Sequence, residues 1–404
     1  MSQGPPADLE GFIEQYAPRS LYGTATSPFQ GHWGGRHSTF QSPEHQAWFE
    51  VALAHGMTAP TWPRAYGGGG LDAERGRRWF ELLAERRVPL PLVGFGLTMI
   101  GPIVLEYGTE AQKVQHLGGI LRGEIRWCQG YSEPESGSDL ASLSCKATPD
   151  GDGWRLDGQK IWTSKADEAD WIFCLVRTRT EGRKHAGITF VVFDMATPGI
   201  TVRPIPLISG SSPFCETFFE DVYVPSEGVI GDVNNGWRVA MSLLGHERDM
   251  VGEAVASGGS RPPILTDYRV ADHAVRVLGR ADDGTLSDPL IRDQVARAEM
   301  DEAALRWTIR RVREAGTPGP ESSIIKLAGT ELNMRRWELA LKIEGLGGLG
   351  WEGSAFSAEQ QALAKQYLRS RGNSIEGGTS EIQRNILATR VLGLPRTGKP
   401  GKKP

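Results

Sequence analysis

The sequence predicts a mainly α fold with a central β domain, because the spacing of its apolar residues changes twice along the chain. From about Asp8 to Glu124 they recur at helical intervals, as in QAWFEVALAHGM and RRWFELLAERR, with turns at TWPRAYGGGG and YGTEAQ. The middle switches to extended runs. SCKATPDGDGWRLDGQKIW places the turn-forming Pro149 to Gly153 between two strands, and GITFVVFDM, GITVRPIPL and CETFFEDVYVP continue the strand pattern. Beyond Asn235 the helical period returns in GWRVAMSLLGHERDM, DQVARAEMDEAALRWTIRRVREAG and IIKLAGTELNMRRWELALKIEG, each stopped by glycine or proline. The expected domains are therefore 1–125, 126–235 and 236–395, with 396–404 a disordered tail.

Composition sets broad limits. A chain of 404 residues, 39% hydrophobic and 23% charged, is long enough for two or three domains with sizeable cores. A net charge of −4 argues against nucleic acid as a partner. MSQGPPADLE lacks the basic and apolar regions of a secretion signal, and no apolar stretch reaches spanning length, so no membrane role and a cytoplasmic location are expected. Cys128, Cys145, Cys174 and Cys215 have neither metal-type spacing nor disulfide density, and read as reduced, buried thiols with no metal site.

Four motifs carry the chemistry. They are WCQGYSEPESGSDL, DGQKIWTSKADEADWIFCLVRT, SLLGHERDMV and SIEGGTSEIQRNILATR, in that order. Together they resemble the acyl-CoA dehydrogenase family. The resemblance implies a helical N-domain, a β-barrel middle domain and a C-terminal four-helix bundle. It also implies FAD as cofactor, an acyl-CoA substrate and an electron-transferring flavoprotein as electron acceptor. The assembly implied is a homodimer, a homotetramer or a heterotetramer with a related subunit.

The family's usual catalytic glutamate precedes the Gly378-Thr379-Ser380 run, but Gly377 holds that place here and Glu376 stands one residue early. A large subset of the family carries its base instead in a glutamate-arginine pair on another helix, and Glu247 and Arg248 match that pair. The resemblance thus makes Glu247 the base, Arg248 a supporting charge, and the Gly377 backbone N–H an oxyanion donor. Read without the resemblance, Glu247 and Arg248 are an ordinary solvated pair on a helix. Glu376, reached by a shifted loop, is the other candidate base.

Cofactor contacts implied by the resemblance fall on Tyr131, Ser132, Gly137 and Ser138 of the first motif, and on Trp162, Thr163 and Ser164 of the second. At the C-terminal side they fall on Glu344, Gly347, Gly348, Thr379 and Glu381, the last four reaching a neighbouring subunit's flavin. Plain alternatives stand beside each: loop serines, a core tryptophan, a glycine helix terminator after Glu344. AYGGGG and GLGGLG are not dinucleotide fingerprints, since neither follows a strand within a βαβ unit. RADDGTLSDPLIRDQ replaces the arginine-phenylalanine motif that commonly precedes the central C-terminal helix. Gly94, Gly96, Gly101 and Gly245 either leave room for a bulky acyl group or let helices pack closely. Two other functions share these motifs: a flavoprotein oxidase or monooxygenase, and a non-catalytic subunit of a heteromeric dehydrogenase.

Overall fold

The computed structural model describes residues 4–27, 30–245, 268–314 and 319–395. The chain divides into two compact units, Met1–Pro206 with Ser212–Glu247, and Leu207–Ser211 with Arg248–Pro404.

The first unit begins with helices α1 (Leu9–Tyr16), α2 (Pro43–Ala54), α3 (Ala73–Glu85), α4 (Gly101–Tyr107) and α5 (Glu110–Leu121). Their starts are written locally. Ser42, Asp72 and Thr109 each accept a first-turn N–H, Pro43 presets the first turn of α2, and Gln112 completes a capping box with Thr109. Phe12, Trp48, Trp79, Leu82 and Leu83 are buried in the core of α1–α3. Full burial of one such apolar side chain is worth about 1.5–3 kcal/mol.

Seven strands follow: β1 (Trp127–Gly130), β2 (Lys146–Asp150), β3 (Gly153–Ser164), β4 (Trp171–Arg177), β5 (Ile188–Asp194), β6 (Ile200–Ile205) and β7 (Phe214–Pro225). They form one curled sheet in the order β1-β4-β2-β3-β7-β6, with β5 on β4. The expected hairpin is present: Asp150 pairs with Gly153 and Gly151 turns the chain at φ +59°. The β3–β7 pair is long and antiparallel, with register shifts between Leu156 and Gly158 and between Lys160 and Thr163. All four cysteines are free and buried.

Polar side chains join the helices of this unit to its sheet. Gln112 on α5, itself buried, donates to the carbonyls of Glu227 and Val229 at 2.7 Å each. The Asp170 carboxylate accepts the backbone N–H groups of Arg36 (3.0 Å) and Arg126 (2.8 Å). The unit continues into α6, helical over 236–245.

The second unit contains α7 (Val270–Leu278), α8 (Pro289–Glu314), α9 (Ser322–Glu344), α10 (Ala358–Ser370) and α11 (Ser380–Ile386). α9 is central and packs against the other four. Thirteen of its residues are buried around its circumference, which is why it lacks an apolar stripe. RADDGTLSDPL forms a tight hairpin before α8, with Arg280 bridged to Leu286 and the Asp283 carboxylate accepting from Thr285. The tail 396–404 lies outside the described residues.

Candidate functional site

In the first unit the motif residues gather where β1 ends and β3 bulges. The carbonyl of Ser132 accepts the Ile161 N–H at 2.9 Å, and that of Tyr131 accepts Lys160 Nζ at 3.2 Å. Glu133 and Ser136 exchange both backbone hydrogen bonds, so Pro134 and Glu135 make a tight turn. Beneath it the Glu133 carboxylate accepts from Lys160 Nζ (2.7 Å), the Ser144 N–H (2.6 Å) and hydroxyl (2.9 Å), and the Cys145 N–H (2.9 Å). Burial works to raise the Glu133 pKa, but the Lys160 charge and the two N–H donors outweigh it and hold the carboxyl below its ordinary value. Both side chains are essentially out of water, at 0% and 4% exposure. Sequence reasoning missed this pair, although both residues lie inside quoted motifs.

Above the pair, the surface is built of uncommitted groups. Ser138 is exposed, and Ser132 and Ser164 are half-buried. None of the three hydroxyls has a hydrogen-bond partner among the described residues. A Cβ at Gly137, next to Ser138, would meet no atom of the described residues within 4 Å. Trp162 occupies the bulge at φ +61° and its side chain is 52% exposed, touched edge-on by Phe214 at 6.1 Å. A left-handed backbone under a bulky residue is strained, and such outliers concentrate at ligand sites. Thr163 is separated from its neighbours: it is fully buried and its hydroxyl, without a partner among the described residues, faces the sheet interior. Tyr131 is also buried, edge-on to Phe173 and Phe190.

Of the four glycines open to either pocket room or close packing, three are tightly packed. A Cβ at Gly94 would meet the Trp33 indole at 2.9 Å, one at Gly96 would meet Ile120 at 3.0 Å, and one at Gly101 would overlap the Trp62 ring. Close packing accounts for these three. A Cβ at Gly245 would meet no atom of the described residues within 4 Å.

In the second unit, α9 ends at Glu344 and a tight 3-10 turn, Gly345–Leu349. The Glu344 carboxylate accepts from Gln360 Nε2 at 2.9 Å and lies 3.3 Å from His273 Nε2. Burial lowers the pKa of His273, against the opposing charge of Glu344. A Cβ at Gly347 would collide with Gln360, and one at Gly348 would sit 2.9 Å from the Leu341 carbonyl. Both glycines are thus closely packed around the end of α9.

Past α10 the chain makes a two-glycine turn. Gly377 and Gly378 have φ of +63° and +87°, and Gln383, 1% exposed, donates to both their carbonyls at 3.2 and 3.4 Å. Thr379 then caps α11 by accepting the Ile382 N–H, and Glu381 is exposed on its first turn. The N–H groups of Ile375 and Glu376 both donate to Gly372, but that of Gly377 donates to nothing among the described residues. Glu247 and Arg248 lie outside the described residues.

Along the chain a helical region, a curled seven-stranded sheet and a second helical region follow one another. Family models described as "Acyl-CoA dehydrogenase" match its N-terminal domain at residues 19–124, middle domain at 128–222 and C-terminal domain at 234–392. The chain is 36% identical over 376 residues to the acyl-CoA dehydrogenase IpdE1 of Mycolicibacterium smegmatis, covering 91% of this chain and 92% of that one. Among solved structures it is similar to the Tcur3481-Tcur3483 steroid ACAD (TM-score 0.73, 28% identity, 97% of both chains). It is similar also to the ChsE4-ChsE5 complex from Mycobacterium tuberculosis (TM-score 0.71, 25% identity, 96% of both chains). The chain belongs to the acyl-CoA dehydrogenase family. It is an oxidoreductase of that flavoprotein class, and among its described residues no helix is long and apolar enough to cross a membrane.

Proposed function

We propose that this chain performs FAD-dependent α,β-dehydrogenation of an acyl-CoA thioester, yielding the 2-enoyl-CoA. The observation that carries this reading is the Gly377 N–H, which donates to nothing among the described residues and stands where the family's usual base is missing. An α proton is too weakly acidic for an unaided carboxylate, so the thioester oxygen needs a donor as the proton leaves. The Gly377 N–H is that donor, in a turn only glycine adopts cheaply, and such donors contribute about 3–4 kcal/mol. Glu247 takes the proton, and Arg248 balances its charge. FAD, when bound, supplies the hydride acceptor.

The residues present fit that cofactor. A flat indole next to free hydroxyls suits a ring with a polar edge, so Trp162, Ser132, Ser138 and Ser164 would hold it, with the backbones of Gly137 and Thr163. Thr379 and Glu381 would face a ribose of a neighbouring subunit's FAD, with Gly347, Gly348 and Glu344 at its adenine end. That arrangement makes the working form a dimer, a tetramer or a heterotetramer with a related chain. The likeness to the ChsE4-ChsE5 complex supports the heteromeric case. Electrons pass to an electron-transferring flavoprotein, in the cytoplasm. The likeness to a steroid ACAD makes ring-bearing acyl-CoA thioesters the first substrates to try.

The test is anaerobic bleaching of the purified yellow protein by a panel of acyl-CoA thioesters. Glu247→Gln keeps size and hydrogen bonding but cannot accept the proton, so bleaching should slow by about 10² to 10⁴ while the thioester still binds. Equal loss in Glu376→Gln and none in Glu247→Gln would sink the assignment of the base. Rapid oxygen consumption would point to an oxidase, and bleaching only after addition of a second chain to a silent subunit.

A further inference from the structure

We propose that Glu376 is a positioning residue: together with Arg369 and Asn373 it fixes the peptide linking Glu376 to Gly377, and so aims the Gly377 N–H. This rests on the acyl-CoA reading of the same turn given above.

The need for such a device follows from the residues. Two consecutive glycines have the most backbone freedom any pair can have, and Gly377 carries no side chain with which to tether its own peptide. A donor that wanders is a poor oxyanion donor, because preorganisation is what makes it effective. The chain flanking Gly377 must therefore be held from outside.

It is held on both sides. After the turn, buried Gln383 gathers the Gly377 and Gly378 carbonyls. Before it, the Glu376 carboxylate takes a forked pair of bonds from Arg369 on α10, at 2.8 and 3.3 Å, and a third from Asn373 Nδ2 at 2.5 Å. Asn373 is anchored in turn. Its carbonyl accepts from Lys326 Nζ at 3.0 Å and its side-chain oxygen from Asn333 Nδ2 at 2.9 Å. Lys326 and Asn333 are both buried on α9, at 0% and 7% exposure. A chain of bonds thus runs from the central helix through Asn373 to Glu376, one peptide from the free N–H.

Two other roles for Glu376 account for less. As a base it would have to release a carboxylate already engaged by three donors. As a plain surface ion pair it would need only Arg369, whereas Asn373 joins the same carboxylate to the buried network.

The experiment compares Glu376→Ala, Glu376→Gln and Arg369→Met with the unmodified FAD-loaded protein, using whichever acyl-CoA bleaches the latter. Flavin reduction at saturating thioester should fall about 10- to 100-fold in Glu376→Ala and Arg369→Met, with thioester affinity nearly unchanged and the pH profile unshifted. Glu376→Gln should recover most of the rate, since its amide oxygen still accepts from Arg369. Independently of turnover, the infrared carbonyl stretch of a bound enoyl-CoA should move back toward its free value in Glu376→Ala, and deuterium exchange across 373–379 should rise. If Glu376→Ala reduces at the normal rate with an unmoved carbonyl band, the proposal is wrong. If Glu376→Gln is as inactive as Glu376→Ala and loses the acid limb of the pH profile, Glu376 is a base and the proposal is again wrong. Failure of every acyl-CoA to bleach the unmodified protein would instead overturn the underlying reading, and is seen without any variant. Should Glu376→Ala not fold, Arg369→Met and Glu376→Gln decide the matter.

Discussion

Replacing Lys160 with methionine keeps most of the side chain's length and removes its charge, leaving the Glu133 carboxylate stranded in the sheet at 4% exposure. Breaking a buried ion pair from one side typically costs about 3–5 kcal/mol. Glu133 keeps the Ser144 N–H and hydroxyl and the Cys145 N–H, so the lower end, about 3 kcal/mol, applies. At about 2–4 °C per kcal/mol for a unit of this size, melting should fall by roughly 6–12 °C. The pH dependence has a definite sign. In the unmodified protein Glu133 titrates below its unfolded value, so it adds stability that is present above the unfolded carboxylate pKa and is lost as pH falls through the folded one. Without Lys160 the folded pKa rises instead, and acid relieves the variant by neutralising the stranded carboxyl. The stability gap between the two proteins should therefore close as pH falls from 7 toward 4. Adding Glu133→Gln should restore much of the loss at pH 7. Thermal and denaturant unfolding of the parent, Lys160→Met, Glu133→Gln alone and the double variant gives the complete cycle. A Lys160→Met variant within about 1 kcal/mol of the parent, with a gap independent of pH, would refute the reasoning.

Three further outcomes are expected. His116 is 1% exposed between Trp127 and Trp171, and desolvation lowers its pKa from 6.5 to about 4. Below pH 6.5 the unfolded chain binds a proton that the folded chain refuses, so stability should drop by about 3 kcal/mol on the way to pH 4. His116→Phe should flatten that part of the curve, and an unchanged slope would discount it. Gly101→Ala drives a methyl into the Trp62 ring and should cost about 1–3 kcal/mol in denaturant unfolding. An unaffected stability with altered acyl preference would instead place Gly101 in the pocket wall. Substituting Ser132 and Ser164 with leucine removes two free hydroxyls and should weaken FAD binding or shift its absorption, read by titration of apoprotein; identical spectra and affinity would make them plain loop serines.

Much of the fold could be read locally, because its signals are local. Ser42-Pro43 and Thr109 with Gln112 announce helix starts, and CETFFEDVYVP alternates in burial as a strand with one inner face should. WIFCLVR carries no local sign of its place in the sheet. Five consecutive residues of β4 are buried, so its period is silent, and its parallel pairing with the short β1 has no local signature. In the site, the motifs brought Ser132, Ser138, Ser164 and Gly377 into view as groups free to bind. They could not show that the bulge at Trp162 turns Thr163 inward, because a register shift is a property of two strands. Nor could they show that Glu344 is engaged by Gln360 and His273, or that Lys160 meets Glu133 27 positions away. Contacts between distant residues depend on the folded path.

The bonds of Gln112 and Asp170 bear on how this protein can be cut. The family models part the chain between residues 124 and 128, yet across that seam Gln112 satisfies carbonyls of Glu227 and Val229, and Asp170 satisfies the N–H groups of Arg36 and Arg126. Severing there would strand those carbonyls, the amide of Gln112 and the charge of Asp170 on two newly opened surfaces. A helical fragment expressed alone would be expected to aggregate, and the sheet to be recovered only when α5 travels with it. The seam that the family models leave between two modules thus lies inside one compact unit, 1–206 with 212–247, closed by its own hydrogen bonds.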